Sequence, residues 1–314
     1  MSKLYIRFFL LLVLLVIIGE LAAMKVMGLG DPPLSTTHQE IEYMFKPNQE
    51  VVRFGNRVQI NNYGMRSEDF PPQKAENEFR LLIFGDSVLN GGNLTDQTDL
   101  ATEFLKIKLE DFLDLNVVVG NVSAGSWGPG NWLGYARTYG FFDADAVVLL
   151  ISSHDARDNP TFDPLNPQTH PERKPVSALW EGVTRYLPRY LPELGGHSED
   201  ETAPVEDSRE LERGLSDLNL FLSKASEEVS CLFVVQFLEQ SELLNEPMDG
   251  YYFIKELSKN QQIVTESVYE WFKKALKKGE DPFRDNIHIN DYGQSVLSKA
   301  FYSILTDNNV EECL

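Results

Sequence analysis

Hydrophobic positions along this chain follow two rhythms. From Leu4 to Met24 almost every position is apolar, in "LYIRFFLLLVLLVIIGELAAM". After Phe79 the rhythm changes to short apolar runs separated by longer segments of helical period. "RLLIFG", "NVVVG", "DAVVLLIS", "CLFVVQF" and "QQIVTES" read as strands. Between and after them, "DLATEFLKIKLEDFL" spaces Leu100, Phe104, Leu105, Ile107, Leu109, Phe112 and Leu113 as one helix would. "NWLGYARTYGFF" is read as helical despite Gly134, and "VYEWFKKALKK" and "NDYGQSVLSKAFYSIL" as further helices. Near-continuous apolar strands alternating with helices predict a parallel sheet covered on both faces. No internal repeat interrupts the pattern.

Ahead of this domain, "GLGDPPLSTTHQE" reads as a linker, and "EVVRFGNRVQINNYGMR" offers two strand-like runs around Gly55-Asn56, a hairpin. The chain therefore divides into an apolar segment at 1–25, a lead-in at 26–78 and the α/β domain at 79–309. The domain carries an insertion at about 157–209 after its third strand. The insertion contains the proline-rich "NPTFDPLNPQTHPERKP", then "SALWEGVTRYLPRYLP" with Trp180, Tyr186 and Tyr190, and the acidic "GGHSEDETAPVEDSRE". It hangs from the end of a strand, so it either walls a site or is a solvated excursion with one packing helix.

The apolar terminus has two readings. Phe8–Gly19 suits the core of a signal peptide, with Leu21-Ala22-Ala23 as cleavage site and Leu a poor residue at its first position. Counted from Leu4 to Met24 it reaches the ~20 residues that span a bilayer, which favours an uncleaved anchor. Lys3 before the span and Arg7 near its start, able to snorkel, keep the N-terminus in the cytoplasm, which puts the bulk of the chain outside it, in the periplasm or at the surface of a bacterium. Formal net charge is −20, from 28 basic and 48 acidic residues. That excludes nucleic acid as a partner and weighs against a strongly anionic substrate. Cys231 and Cys313 fit one disulfide or two idle thiols equally well.

Chemistry enters at "FGDSVLNGG". Gly and Asp do not suit a strand interior, so the first strand stops at Gly85 and delivers Ser87 to the carboxyl edge of the sheet. A serine hydroxyl needs a base, and the base needs an orienting acid. Of His38, His154, His170, His197 and His288, the last lies in "DPFRDNIHINDYGQ", just before the final helix. Asp285, three residues earlier, can curl back to accept Nδ1–H while Nε2 points to the serine. Asn290 or Asp291 is explained as the cap of that helix; His288 is not.

"GDS" after the first strand, an Asn-led glycine loop "NVSAGSWGPGN" from Asn121, the polar block "SSHD" after the third strand and Asp-x-x-His before the last helix resemble the SGNH (GDSL-type) hydrolases. The match spans roughly Phe79 to Leu305 without the insertion. It is not the narrower α/β-hydrolase elbow, which places glycine where this chain has Leu89. The resemblance implies a three-layer α/β/α sandwich, no cofactor, and a triad of Ser87 as nucleophile, His288 as base and Asp285 as orienter. It implies an oxyanion hole from the backbone N–H of Ser87, an N–H at Gly125 or Ser126, and the side chain of His154, which stands where the family has Asn. Ser126 stands where the family has glycine. Asp86 is expected to brace the loop. His154 with Asp155 and Asp158 lacks a Cys/His cluster at ligand spacing, so no metal is expected.

The lead-in "FGNRVQINNYGMRS" also resembles that of exported members associated with exopolysaccharide or cell-envelope assembly. The resulting expectation is a carbohydrate esterase or O-acyltransferase acting on an extracytoplasmic glycan. A lipid or small-acyl esterase is an alternative. A catalytically silent glycan-binding or assembly protein on the same fold is another, favoured by the change at His154.

Overall fold

The computed structural model describes residues 3–187 and 208–314. Tyr190, His197 and most of the acidic stretch of the insertion lie outside the described residues. Five strands form one parallel sheet: β5 (Glu78–Gly85), β6 (Asn116–Ser123), β7 (Ala146–Ser152), β8 (Cys231–Phe237) and β9 (Val264–Ser267), in the order β6-β5-β7-β8-β9. Registers Gly85↔Ser123 and Ser152↔Phe237 bring the strand ends to one edge.

Alternation within each strand feeds two cores. Leu81 and Ile83 of β5, Val148 of β7 and Val235 of β8 face a layer with helices α3 (Ala101–Leu113), α9 (Tyr269–Lys277) and α10 (Asp291–Asp307). Leu82 and Phe84, Val147 and Leu149, and Val234 face the opposite layer. That layer is built from α4 (Pro129–Tyr139), α6 (Ser208–Glu228) and α8 (Asp249–Asn260). Both faces of the central strands are covered, which is why β7 and β8 are almost wholly apolar while the edge strand β9 is polar and half exposed, and the result is the three-layer α/β/α sandwich.

Several local readings change. The segment read as a linker pairs as β1 (Ser35–His38) with β2 (Glu42–Phe45), whose Ile41–Met44 side packs into the second core. Polar "STTH" shows no alternation; it is held because Ser35 N–H donates to Pro171 O at 2.9 Å, a tertiary bond to the insertion. The second hairpin, β3 (Gln49–Arg53) with β4 (Asn56–Ile60), turns on Phe54-Gly55 rather than Gly55-Asn56, both residues being left-handed (φ 53° and 88°). Gly134 inside α4 has a packing cause: a Cβ there would lie 2.1 Å from Glu40 O, so only glycine lets the helix pass the first hairpin. Helix α8 went unread between the fourth and fifth strands, although parallel neighbours need such a crossover. Cys231 and Cys313 are joined by a disulfide that ties the start of β8 to the C-terminus.

Residues Lys3–Met27 form one helix, α1, apolar and long enough to cross a membrane. From Leu4 to Ile18 its side chains stand exposed, and only its last turns touch the body.

Candidate active site

Gly85 ends β5, and Ser87 opens the one-turn helix α2 (Ser87–Asn90). Asp86 braces it: its carboxylate accepts from Val88 N at 2.9 Å as the N-cap. Gly91 closes the turn in the left-handed conformation (φ 71°). Beneath it the fully buried Arg66 donates to the carbonyls of Asn90, Gly92 and, at 2.6 Å, Thr95. Asn90 Nδ2 donates to Ser123 O at 3.0 Å, and Asn121 Nδ2 to Leu89 O at 3.3 Å. The Ser87 turn is thereby fastened to the lead-in and to the end of β6. Nothing in the local pattern around Arg66 announced this, because its acceptors lie 24 to 29 residues away.

The second half of the site is a tight loop. Phe283 bridges Ile289, Arg284 N–H donates to His288 O at 2.8 Å, and Asn290 caps α10 by accepting from Gly293 N at 2.9 Å. Within it Asp285 Oδ1 accepts from the backbone N–H of Ile287 at 2.9 Å and of His288 at 2.7 Å. Its Oδ2 lies 2.8 Å from His288 Nδ1. His288 Nε2 is 3.1 Å from Ser87 Oγ, across 201 residues of sequence. The structure thus brings Ser87, His288 and Asp285 into one hydrogen-bonded line. Partial burial raises the Asp285 carboxyl, but the donors from His288 and Ile287 outweigh it and hold it below the usual carboxylate range. The pair is accessible: 42% of the His288 side chain and 55% of the Asp285 side chain face solvent.

Ser87 and His288 border a cleft of about 700 Å³, which Gly125 also lines. Ser126 next to it has φ 58°, a left-handed backbone where glycine is the easy residue. The insertion forms the opposite wall, through Thr169, His170 and Tyr186. His170 lies against Tyr43 with ring centroids 4.2 Å apart; burial and the Arg185 charge push its imidazole below the usual value. Arg53 and Glu181, both buried and 2.6 Å apart, pin this wall to the second hairpin, and Tyr186 accepts from Arg53 at 3.0 Å. Of the two readings of the insertion, the wall is the one observed.

His154 is placed differently from the expectation of an oxyanion donor. Its Nδ1 is 3.0 Å from Glu239 Oε1, and its Nε2 faces Asp155 Oδ1 at 3.4 Å and Asp86 Oδ2 at 3.6 Å. Nδ1 is engaged by Glu239, while Nε2 faces two carboxylate oxygens that have no hydrogen-bond partner of their own among the described residues. Burial pulls its pKa down, but Asp155, Asp86 and Glu239 together push it up to about 12. The ring sits behind Ser87 beside the Asp86 cap, and burial pushes the adjoining Asp155 carboxyl well above the usual carboxylate range, with the His154 charge opposing that rise. Asn286 extends the same network, donating to Glu239 Oε2 at 2.6 Å from within the Asp285–His288 loop. Donor atoms of Asp86, His154 and Asp155 lie within 4.8 Å of one another, whereas Asp158 is outside that group.

No protein-family model matches the sequence, and comparison with curated proteins gives no match. Solved structures similar to it include a catalytic mutant of Axe2, an acetylxylan esterase of Geobacillus stearothermophilus. That likeness has TM-score 0.47 and 15% identity, over 72% of this chain and 94% of the other. A lipolytic protein of the G-D-S-L family from Veillonella parvula gives TM-score 0.45 and 13% identity, over 74% and 99%. The enzyme LAE5 from the Lake Arreo metagenome gives TM-score 0.49 and 15% identity, over 74% and 96%. These likenesses extend to the type of fold alone, and the reading of the site rests on this chain's own geometry.

Proposed function

We propose that the chain is a membrane-anchored, extracytoplasmic serine ester hydrolase of SGNH type, acting on an acylated carbohydrate by hydrolysis or acyl transfer. The observation that carries this reading is the line Ser87 Oγ–His288 Nε2–Asp285, at 3.1 and 2.8 Å. In it Ser87 Oγ adds to the ester carbonyl carbon while His288 Nε2 takes the hydroxyl proton. Asp285 fixes the tautomer by accepting from Nδ1 and stabilises the imidazolium formed. The carbonyl oxygen becomes an oxyanion that the backbone N–H groups of Ser87 and of the Gly125–Ser126 turn receive. Collapse breaks the bond to the alcohol, which leaves with the proton from His288. Water or a sugar hydroxyl then attacks the acyl carbon, giving its proton to His288, and collapse expels Ser87 Oγ, which takes that proton back from His288 Nε2.

The Cys231–Cys313 disulfide and the exposed apolar α1 support export and anchoring, since disulfides persist in oxidising compartments. The open cleft, with its aromatic wall from the insertion, supports a sugar-sized substrate. A silent glycan-binding protein is the second reading, favoured by the engagement of His154, because one lost oxyanion donor costs on the order of 10²–10³ in rate.

The full-length protein in detergent, assayed with p-nitrophenyl acetate and with acetylated xylan, separates the two. Ser87→Ala is expected to abolish acetate release, and a fluorophosphonate probe to label Ser87 in the wild type. Equal rates in both proteins, with no adduct, leave only the binding reading.

A further inference from the structure

Where α1 meets the body, its end is built into the insertion. Ala23 and Leu29 pack with Ala178, flanked by Leu179, Phe54 and Tyr186. Glu20 accepts from Ala178 N at 2.7 Å and Leu179 N at 2.9 Å, capping the short helix α5 (Ala178–Glu181) that continues as a wider turn to Tyr186. That segment has two faces. Ala178 and Glu181 point inward and are buried. Trp180, Val183 and Leu187 point outward, 57, 53 and 44% exposed, and Val176 just before the cap is 90% exposed. Trp180, Val183 and Leu187 are the outward positions of this segment, and Val176 stands just ahead of its cap. Exposed Arg173 and Lys174 precede them, although the chain carries a net −20.

Length decides what meets those outward positions. From Leu4 to Gly19, before the first contact with Leu179, the α1 axis rises about 24 Å. A bilayer's hydrocarbon core is about 30 Å thick. A spanning α1 therefore has no spare length: the body must approach until Glu20, and with it α5, reaches the headgroup layer.

We propose that residues 176–187 form a lipid-docking element, lying with the outward Val176, Trp180, Val183 and Leu187 in the interface of the bilayer that α1 crosses. Arg173, exposed just ahead of it, faces the anionic headgroups, whereas Lys174 is already held by Asp31 at 2.7 Å. Tyr186, on the inner side of the same segment, lines the Ser87 cleft together with Met27. Met27 is about 12 Å along α1 beyond Gly19. The cleft then opens beside the headgroups, onto esters carried by membrane-attached molecules. This inference rests on the anchored reading of α1.

Its test uses the full-length chain in phosphatidylethanolamine–phosphatidylglycerol nanodiscs, with one introduced cysteine spin-labelled at a time, the natural pair being disulfide-bonded. The sites are Leu12→Cys on α1, Val183→Cys on the docking element and Glu256→Cys on α8, beside the far edge of the sheet. Collision with oxygen and with a nickel chelate reports depth. The Leu12 label is expected in the hydrocarbon, the Val183 label about 5–10 Å into the headgroup–acyl boundary, and the Glu256 label in water. A Val183 label as aqueous as the Glu256 label, with Leu12 immersed, overturns the docking while the anchor stands. A Leu12 label in water overturns both.

Discussion

Replacing His154 by glutamine keeps the size and a hydrogen-bond donor but removes the positive charge among Asp86, Asp155 and Glu239. Leaving a buried charge without its partner costs about 3–5 kcal/mol. The sharper signature is in the pH dependence. The imidazole pKa rises from 6.5 unfolded to about 12 folded, so its stabilisation is fully present below about 6.5 and is lost progressively as pH climbs toward 12. Over that window the folded state holds a proton that the unfolded state has released, so stability falls by at most about 1.4 kcal/mol per pH unit. With 29% of the side chain exposed, solvent screening lowers the loss expected between pH 7 and 9 to about 1–2 kcal/mol. Urea unfolding of the full-length protein in detergent, followed by the buried Trp127 and Trp132, measures it. His154→Gln should be less stable at pH 7 and should lack this share of the slope. Parallel stability curves for the two proteins would refute a charged His154.

Three further substitutions probe other links. Asp285→Asn should lower kcat by roughly 10²–10³ with KM little changed, less than for a sequestered triad acid because 55% of this side chain is exposed; unchanged kcat removes Asp285 from the mechanism. Cys313→Ser opens a bridge across 82 residues and should cost about 2–4 kcal/mol in chemical unfolding, with turnover intact because Cys231 begins its strand, at the end opposite the Ser87 edge. Equal unfolding midpoints for Cys313→Ser and wild type would remove that contribution. Gly128→Ala sets a Cβ 2.0 Å from Asp158 O, so the loop after β6 must shift; a loss of about 1–3 kcal/mol in unfolding free energy is expected, and an unshifted melt would contradict the close approach.

The sheet and the line of three side chains were legible because each depends on short-range pattern. A strand buried on both faces must be apolar throughout, as β5 is from Glu78 onward apart from Arg80 and Glu78, which pair with each other at 2.7 Å. The Asp285–His288 bond closes within three residues, so its spacing survives in sequence even though its partner Ser87 is 201 residues away. What joins the two halves is the parallel topology, which sends both segments to the carboxyl edge.

His154 shows why the remainder was hidden. Its place at the end of β7 matched a donor position, and position alone could not reveal that Glu239, 85 residues on, meets its ring. A second carboxylate, Asp86, was assigned a bracing role that its own N-cap bond fulfils, yet its other oxygen has no hydrogen-bond partner and is left to the imidazolium. The insertion hides its role for the same reason: Arg53 and Glu181 meet across 128 residues, and Glu20 reaches Ala178 across 158. Each is a long-range ionic or capping contact, invisible to periodicity. Together they join the end of α1 and the wall of the cleft by direct side-chain contacts, where the sequence pattern suggests only a linker.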